Sequence, residues 1–111
     1  MNLQSVHDYY VNPPKTRLSR EETVCYIASC LIHKDSYATE LLLKIKNSAE
    51  YTLSDTVLFS ALQVLIQSEL VISYQKRTEG KGRPRRMFSV NAPMKAEVKR
   101  LAEYWAQENN S

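Results

Sequence analysis

The chain has 111 residues, a length that suits one domain with a single hydrophobic core. Hydrophobic residues make up 43% and charged residues 24%, a balance that is typical of a folded protein and excludes an intrinsically disordered chain. No apolar run approaches the roughly 20 residues of a membrane-spanning helix, and the first residues lack the basic start and apolar stretch of a secretory signal. We therefore expect a cytoplasmic protein with no membrane partner.

The positive charge is concentrated in one short stretch, "KRTEGKGRPRR", from Lys76 to Arg86. It holds six of the fifteen Lys and Arg residues, only one of the twelve acids and both glycines. Its net charge is +5, so the rest of the chain carries −2. Because the charge is local, it predicts a site for an anionic partner and not a generally basic surface.

Two helices are predicted at the start of the domain. Ser19 followed by Glu22 forms a capping-box pattern, and the apolar spacing after it predicts a helix from about Ser19 to Lys34. Asp35-Ser36 is then expected to cap a second helix, which should end near Asn47.

The third helix is predicted to start at Ser54 and to run through "SDTVLFSALQVLIQSEL". Its apolar positions recur at spacings of three and four: Val57, Leu58, Ala61, Leu62, Leu65 and Ile66. The opposite face is polar but uncharged: Thr56, Ser60, Gln63 and Gln67.

A β-hairpin and a final helix are predicted to complete the chain. "LVISYQ" and "RRMFSV" have the β-branched and aromatic content of paired strands, and the glycines between them suit a hairpin loop. Pro93 then fits the first turn of a helix that continues to about Gln107. This helix carries an apolar stripe formed by Met94, Val98, Leu101, Ala102 and Trp105.

Three helices followed by a basic hairpin is the order of a winged helix-turn-helix domain, a mainly α (α+β) fold. We divide the chain into an N-terminal arm (1–18), a winged-helix DNA-binding domain (19–91) and a C-terminal dimerisation helix with its tail (92–111). In this fold the third helix enters the major groove and the hairpin, or wing, contacts a neighbouring groove or the backbone. The expected contacts with double-stranded DNA are Ser54, Thr56, Ser60, Gln63, Lys76, Arg77, Lys81, Arg83, Arg85 and Arg86. An alternative is a protein–protein adaptor whose basic wing binds an acidic partner.

The segments "YATELLLKI", "LSDTVLFSALQVLIQSELVISY" and "GRPRRMFSVNAP" together resemble the PadR-like family of bacterial transcriptional regulators. The matching positions are Glu40, Leu41, Ser54, Leu58, Leu62, Leu65, Leu70, Gly82, Arg83, Arg85 and Phe88. The chain departs from the family pattern where Asp55-Thr56-Val57 replaces Pro-Gly-Thr, Phe59 replaces Tyr, Ser60 replaces a frequent cation and Glu69 replaces Gly. The resemblance implies a transcriptional regulator, expected here to be a repressor, that dimerises through its first and last helices. It also leaves open a small-molecule effector that binds between such helices.

The stripe on the last helix allows two interpretations. Trp105 either covers the core of its own chain or packs across a two-fold axis. We favour the symmetric homodimer because C₂ dimers are common. The expected dimer-interface residues are Met94, Val98, Leu101 and Trp105.

Nothing in the sequence predicts catalysis. It has no glycine-rich phosphate loop before a helix, no nucleophile motif, and no spacing of Cys and His that suits a metal. We therefore expect no enzyme activity, no cofactor and no metal site, with Cys25 and Cys30 serving in packing.

Overall fold

The computed structural model describes residues 15–48, 50–77 and 84–109 of the chain. These residues form four α-helices and two small two-stranded sheets. In chain order the elements are β1 (Thr16–Arg17), α1 (Arg20–Leu31), α2 (Ala38–Lys46), β2 (Tyr51–Thr52), α3 (Asp55–Gln67), β3 (Val71–Lys76), β4 (Arg85–Val90), a 3₁₀ turn (Ala92–Met94) and α4 (Lys95–Asn109). None of these helices is long and apolar enough to span a bilayer.

Helix α1 begins as predicted, with a reciprocal capping box. The Ser19 hydroxyl accepts a hydrogen bond from the Glu22 backbone N–H at 3.1 Å, and the Glu22 carboxylate accepts one from the Ser19 N–H at 3.1 Å. The helix ends at Leu31, three residues before the predicted end at Lys34. The residues that follow leave the helix, and Asp35 and Ser36 contact the hairpin.

The prediction that Asp35-Ser36 caps α2 was wrong. The N-cap is Tyr37, which makes no capping hydrogen bond with its side chain. Ser36 pairs instead with Phe88 of β4, donating through its backbone N–H at 3.2 Å and accepting through its carbonyl at 2.7 Å. Its hydroxyl donates to the Glu40 carboxylate at 2.9 Å.

Helix α3 begins where it was predicted, after Ser54, and ends at Gln67, three residues before Leu70, the end of the predicted stretch. The Ser54 hydroxyl accepts from the Val57 N–H at 3.2 Å and so caps the helix. At the far end Glu69 adopts a φ of 62°, the left-handed conformation that follows many helix ends and that favours glycine. The Asn91 side-chain amide donates to the Glu69 carbonyl at 2.7 Å and holds this turn against the start of the last segment.

The hairpin is antiparallel, as predicted, with its register running from Val71–Val90 to Lys76–Arg85. The isolated β-bridge between Ser36 and Phe88 ties the hairpin to the segment between α1 and α2. A separate parallel pair joins β1 to β2, with Thr16 opposite Tyr51. This pairing brings the last residues of the predicted arm onto the body, where Leu18 is buried in the core; residues 1–14 lie outside the described residues.

Helix α4 packs on α1 within the same chain. Val98 is fully buried, and Leu101 and Trp105 lie against the main core. The Trp105 ring lies 5.4 Å from the Tyr26 ring and 5.4 Å from the Tyr51 ring, centroid to centroid, in tilted geometries. The apolar stripe of the last helix therefore has a partner inside its own chain.

Candidate nucleic-acid interface

The polar face of α3 is accessible. Thr56 and Gln63 are exposed and Ser60 is half-buried, so these side chains can reach a partner. Ser54 differs from them because its hydroxyl already accepts the capping hydrogen bond. Asp55, the first residue of the helix, is also exposed and places a negative charge at this end.

Four cations of the wing stand at the free end of the hairpin. Lys76 ends β3 and Arg77 follows it, Arg85 and Arg86 begin β4, and all four are exposed. Lys81 and Arg83, the other two predicted contacts, lie outside the described residues. The described part of the wing thus concentrates positive charge on the paired ends of its two strands.

The two arginines of β4 are held over aromatic rings. The Arg85 guanidinium carbon lies 4.0 Å from the centre of the Tyr37 ring, and that of Arg86 lies 5.0 Å from the centre of the Phe88 ring. Arg86 also donates to the Ser73 hydroxyl at 3.4 Å. These contacts restrict the side chains and reduce the entropy that each would lose on binding an anion.

The linker between α1 and α2 fixes the wing through three consecutive residues. The Tyr74 hydroxyl donates to the Asp35 carboxylate at 2.5 Å, Ser36 pairs with β4, and Tyr37 lies beneath Arg85. The hydrogen bond to Asp35 raises the pKa of Tyr74 above its ordinary value, since it favours the protonated hydroxyl. Sequence reasoning missed this support, because an isolated residue pair leaves no periodic signal.

An open cleft of about 530 Å³ brings the third helix and the wing together. Its lining includes Phe59 of α3 and Arg85 and Arg86 of β4. The start of α2, from Tyr37 to Thr39, also lines it. The predicted base-reading helix and the predicted phosphate-binding wing therefore open onto one surface.

Phe59 lines this cleft and was absent from the predicted contacts. It is 53% exposed, and other apolar residues fill the core side of its helix. The sequence pattern contains a signal for this exposure, because Phe59 falls outside the apolar stripe of α3.

The predicted dimer-interface residues are buried within their own chain to different degrees. Val98 is buried and Met94, Leu101 and Trp105 are half-buried. The argument for a dimer contact at the stripe, an apolar surface without a partner, therefore does not hold for Val98 and Trp105. Tyr104 of α4 is a large, exposed side chain, and it lines a small cleft with Glu21, Glu22 and Cys25 of α1.

The half-buried Cys30 fits the predicted packing role. Burial raises the pKa of its thiol, which lowers the fraction of reactive thiolate. Tyr26 beside it donates its hydroxyl to the Leu41 carbonyl at 2.6 Å, and burial raises its pKa as well. Within residues 15–48, 50–77 and 84–109, no three His, Cys, Asp or Glu side chains are grouped as metal ligands.

Solved structures provide the comparison with known proteins. The chain is 37% identical to Pex from Synechococcus sp., with a TM-score of 0.93 over 100% of both chains. It is 36% identical to the circadian clock associated protein Pex from Anabaena, with a TM-score of 0.83 over 97% of this chain and 95% of that one. A PadR family transcription regulator from Clostridium difficile shares the fold at 20% identity, with a TM-score of 0.64 over 78% of this chain and 90% of its own. No family model matches the sequence, and a search of curated proteins finds no match.

Proposed function

The chain belongs to the same family as the Pex proteins and has the PadR-like winged-helix fold, and from this premise we propose that it regulates transcription by binding double-stranded DNA. The observation that carries the proposal is the shared surface of α3 and the wing. Exposed hydrogen-bonding side chains of α3 suit base edges, and the ring-supported Arg85 and Arg86 suit phosphates. Base contacts would come from Thr56, Ser60 and Gln63, with Ser54 serving mainly as the helix cap.

The first test is a selection from a random pool of double-stranded DNA at near-physiological salt. Enrichment of one motif would support a sequence reader, and a two-fold symmetric motif would support a homodimer, because protein symmetry is mirrored in the operator. Binding with no enriched motif would contradict sequence-specific recognition.

The wing is tested by the salt dependence of binding to the selected duplex. Arg85→Ala/Arg86→Ala should lower the slope of log affinity against log salt by about 1.8, since each lost phosphate contact accounts for about 0.9. Lys95→Ala/Arg100→Ala is the matched control, because it removes the same charge from exposed positions on α4. Equal slopes for the two double variants would remove the wing from the DNA-binding surface.

A homodimer formed through the first and last helices, acting as a repressor in the cytoplasm, completes the proposal. The exposed Tyr104 beside α1 offers that surface an apolar contact. Sedimentation equilibrium of the wild-type chain checks this: a single monomeric species at micromolar concentrations would contradict it.

One feature supports an adaptor as a second candidate. Helix α3 has no Lys or Arg between Ser54 and Ser68, and its first residue is the exposed Asp55. A helix with this charge gains little binding free energy from contacts with phosphates. An adaptor should fail the DNA selection and instead bind an acidic peptide in a manner that depends on Arg85 and Arg86.

A further inference from the structure

Phe59 stands among the polar side chains of α3 and not on its core side. With about 100° of turn per residue, positions 56, 59, 60 and 63 fall within an arc of about 100°. The core residues Leu58, Leu62 and Leu65 lie on the opposite side of the helix and are buried. Phe59 thus belongs to the surface proposed to face DNA.

The exposure of this ring is not explained by the packing of the domain. Phe59 is 53% exposed, while the core of the described residues contains buried leucines, Ile27 and Phe88. A phenyl ring half in water forgoes part of the stabilisation that burial would provide. A single exposed apolar side chain is ordinary on any surface, so its surroundings must carry the inference.

Those surroundings combine an apolar ring with cations. The cleft that Phe59 lines also contains the Arg85 and Arg86 side chains, held over Tyr37 and Phe88. An anionic partner drawn to the arginines would therefore lie against the phenyl ring. A partner that matches this surface must be anionic at one part and apolar at a neighbouring part.

The major groove of DNA offers that combination at one kind of base. Phosphates line the groove, and the apolar group on a base edge is the C5-methyl of a pyrimidine, present in thymine and in 5-methylcytosine. We propose that Phe59 contacts such a 5-methyl group and makes the protein selective for a methylated pyrimidine at one position of each half-site. This inference rests on the proposed DNA-binding function and deepens it.

The test begins with the motif from the random-pool selection, made as a synthetic duplex. Its affinity for the wild-type protein is measured. Each thymine is replaced singly by uracil, which deletes only the methyl, and each cytosine is replaced singly by 5-methylcytosine. At one position per half-site we expect uracil to weaken binding about fourfold, which corresponds to about 0.8 kcal/mol for one buried methyl-sized group. If the group is read on cytosine instead, 5-methylcytosine should strengthen binding by a similar factor.

Variants then assign the effect to Phe59. Phe59→Ala should bind thymine and uracil duplexes equally, and Phe59→Leu should retain part of the discrimination because it keeps an apolar side chain. Leu43→Ala is the matched control, since Leu43 is 49% exposed on α2 and does not line this cleft. Leu43→Ala should keep the full fourfold ratio.

The outcomes separate the two claims. A ratio that persists in Phe59→Ala, or a wild-type scan with no methyl-sensitive position, would overturn the role of Phe59 and leave the DNA-binding proposal standing. The wild-type scan needs no variant, so poor folding of Phe59→Ala would not protect the inference. Failure to select any motif would overturn the proposed function and this inference with it.

Discussion

Val98→Ala tests whether α4 is part of the folded core of each chain. Val98 is fully buried against the rest of the domain. The substitution removes two methyl-sized groups, a loss of about 1.6 kcal/mol at about 0.8 kcal/mol each. Incomplete collapse of the resulting cavity brings the expected loss in free energy of unfolding to about 2 kcal/mol.

Urea unfolding, followed by far-ultraviolet circular dichroism, measures this loss. Lys99→Ala is the matched control because it is the next residue of α4 and is exposed, so its effect should stay within about 0.5 kcal/mol. Both variants place alanine in the same helix turn, and alanine is the better helix former in each case. Helix propensity therefore cannot produce the expected destabilisation.

The concentration dependence decides between the two interpretations of the stripe. If Val98 stabilises its own chain, the loss should be the same at every protein concentration. A loss that disappears when the protein is diluted to a monomer would instead place Val98 in a dimer contact. That result, or a loss no larger than that of Lys99→Ala, would refute the packing argument.

Two further predictions concern the linker that supports the wing. Tyr37→Leu removes the ring beneath Arg85, so it should weaken binding to the selected duplex about two- to fivefold, in line with about 0.5–1 kcal/mol for an exposed cation–π contact; a filter-binding assay with no change would show that the ring does not position Arg85. The hydrogen bond from the Ser36 hydroxyl lowers the pKa of the Glu40 carboxyl. The ionised carboxylate therefore stabilises the folded state at pH values above about 4.3, the ordinary pKa of Glu. This contribution is lost as the pH falls through the lowered pKa. The difference in thermal stability between wild type and Ser36→Ala should therefore shrink from neutral to acidic pH in melting experiments, and a difference independent of pH would contradict the assignment.

The parts of the fold that depend on local patterns could be predicted from the sequence. The capping box at Ser19 and the cap at Ser54 mark helix starts through contacts within four residues, so the residue types alone reveal them. The strand "RRMFSV" was located at its observed bounds, Arg85–Val90, for a similar reason.

The parts that depend on distant contacts could not be predicted. Ser36 has the residue type of a helix cap, but its backbone pairs with Phe88, which lies 52 positions further along the chain. The role of Trp105 could not be predicted either. Its apolar stripe is equally consistent with a helix that packs on its own chain and with one that faces a partner. Only its contacts with Tyr26 and Tyr51 show which of these the chain adopts.

The candidate site could likewise be predicted only in part, and this bears on how the protein would recognise DNA. The cation count of the wing was readable from the sequence, whereas the rings beneath Arg85 and Arg86 were not. If the protein binds DNA as proposed, the absence of Lys and Arg from α3 leads us to expect affinity for phosphates from the wing and selectivity from uncharged contacts such as Phe59 and Gln63. Binding strength would then fall steeply with salt, while the preference for one sequence over another would change little, since uncharged contacts release few counterions.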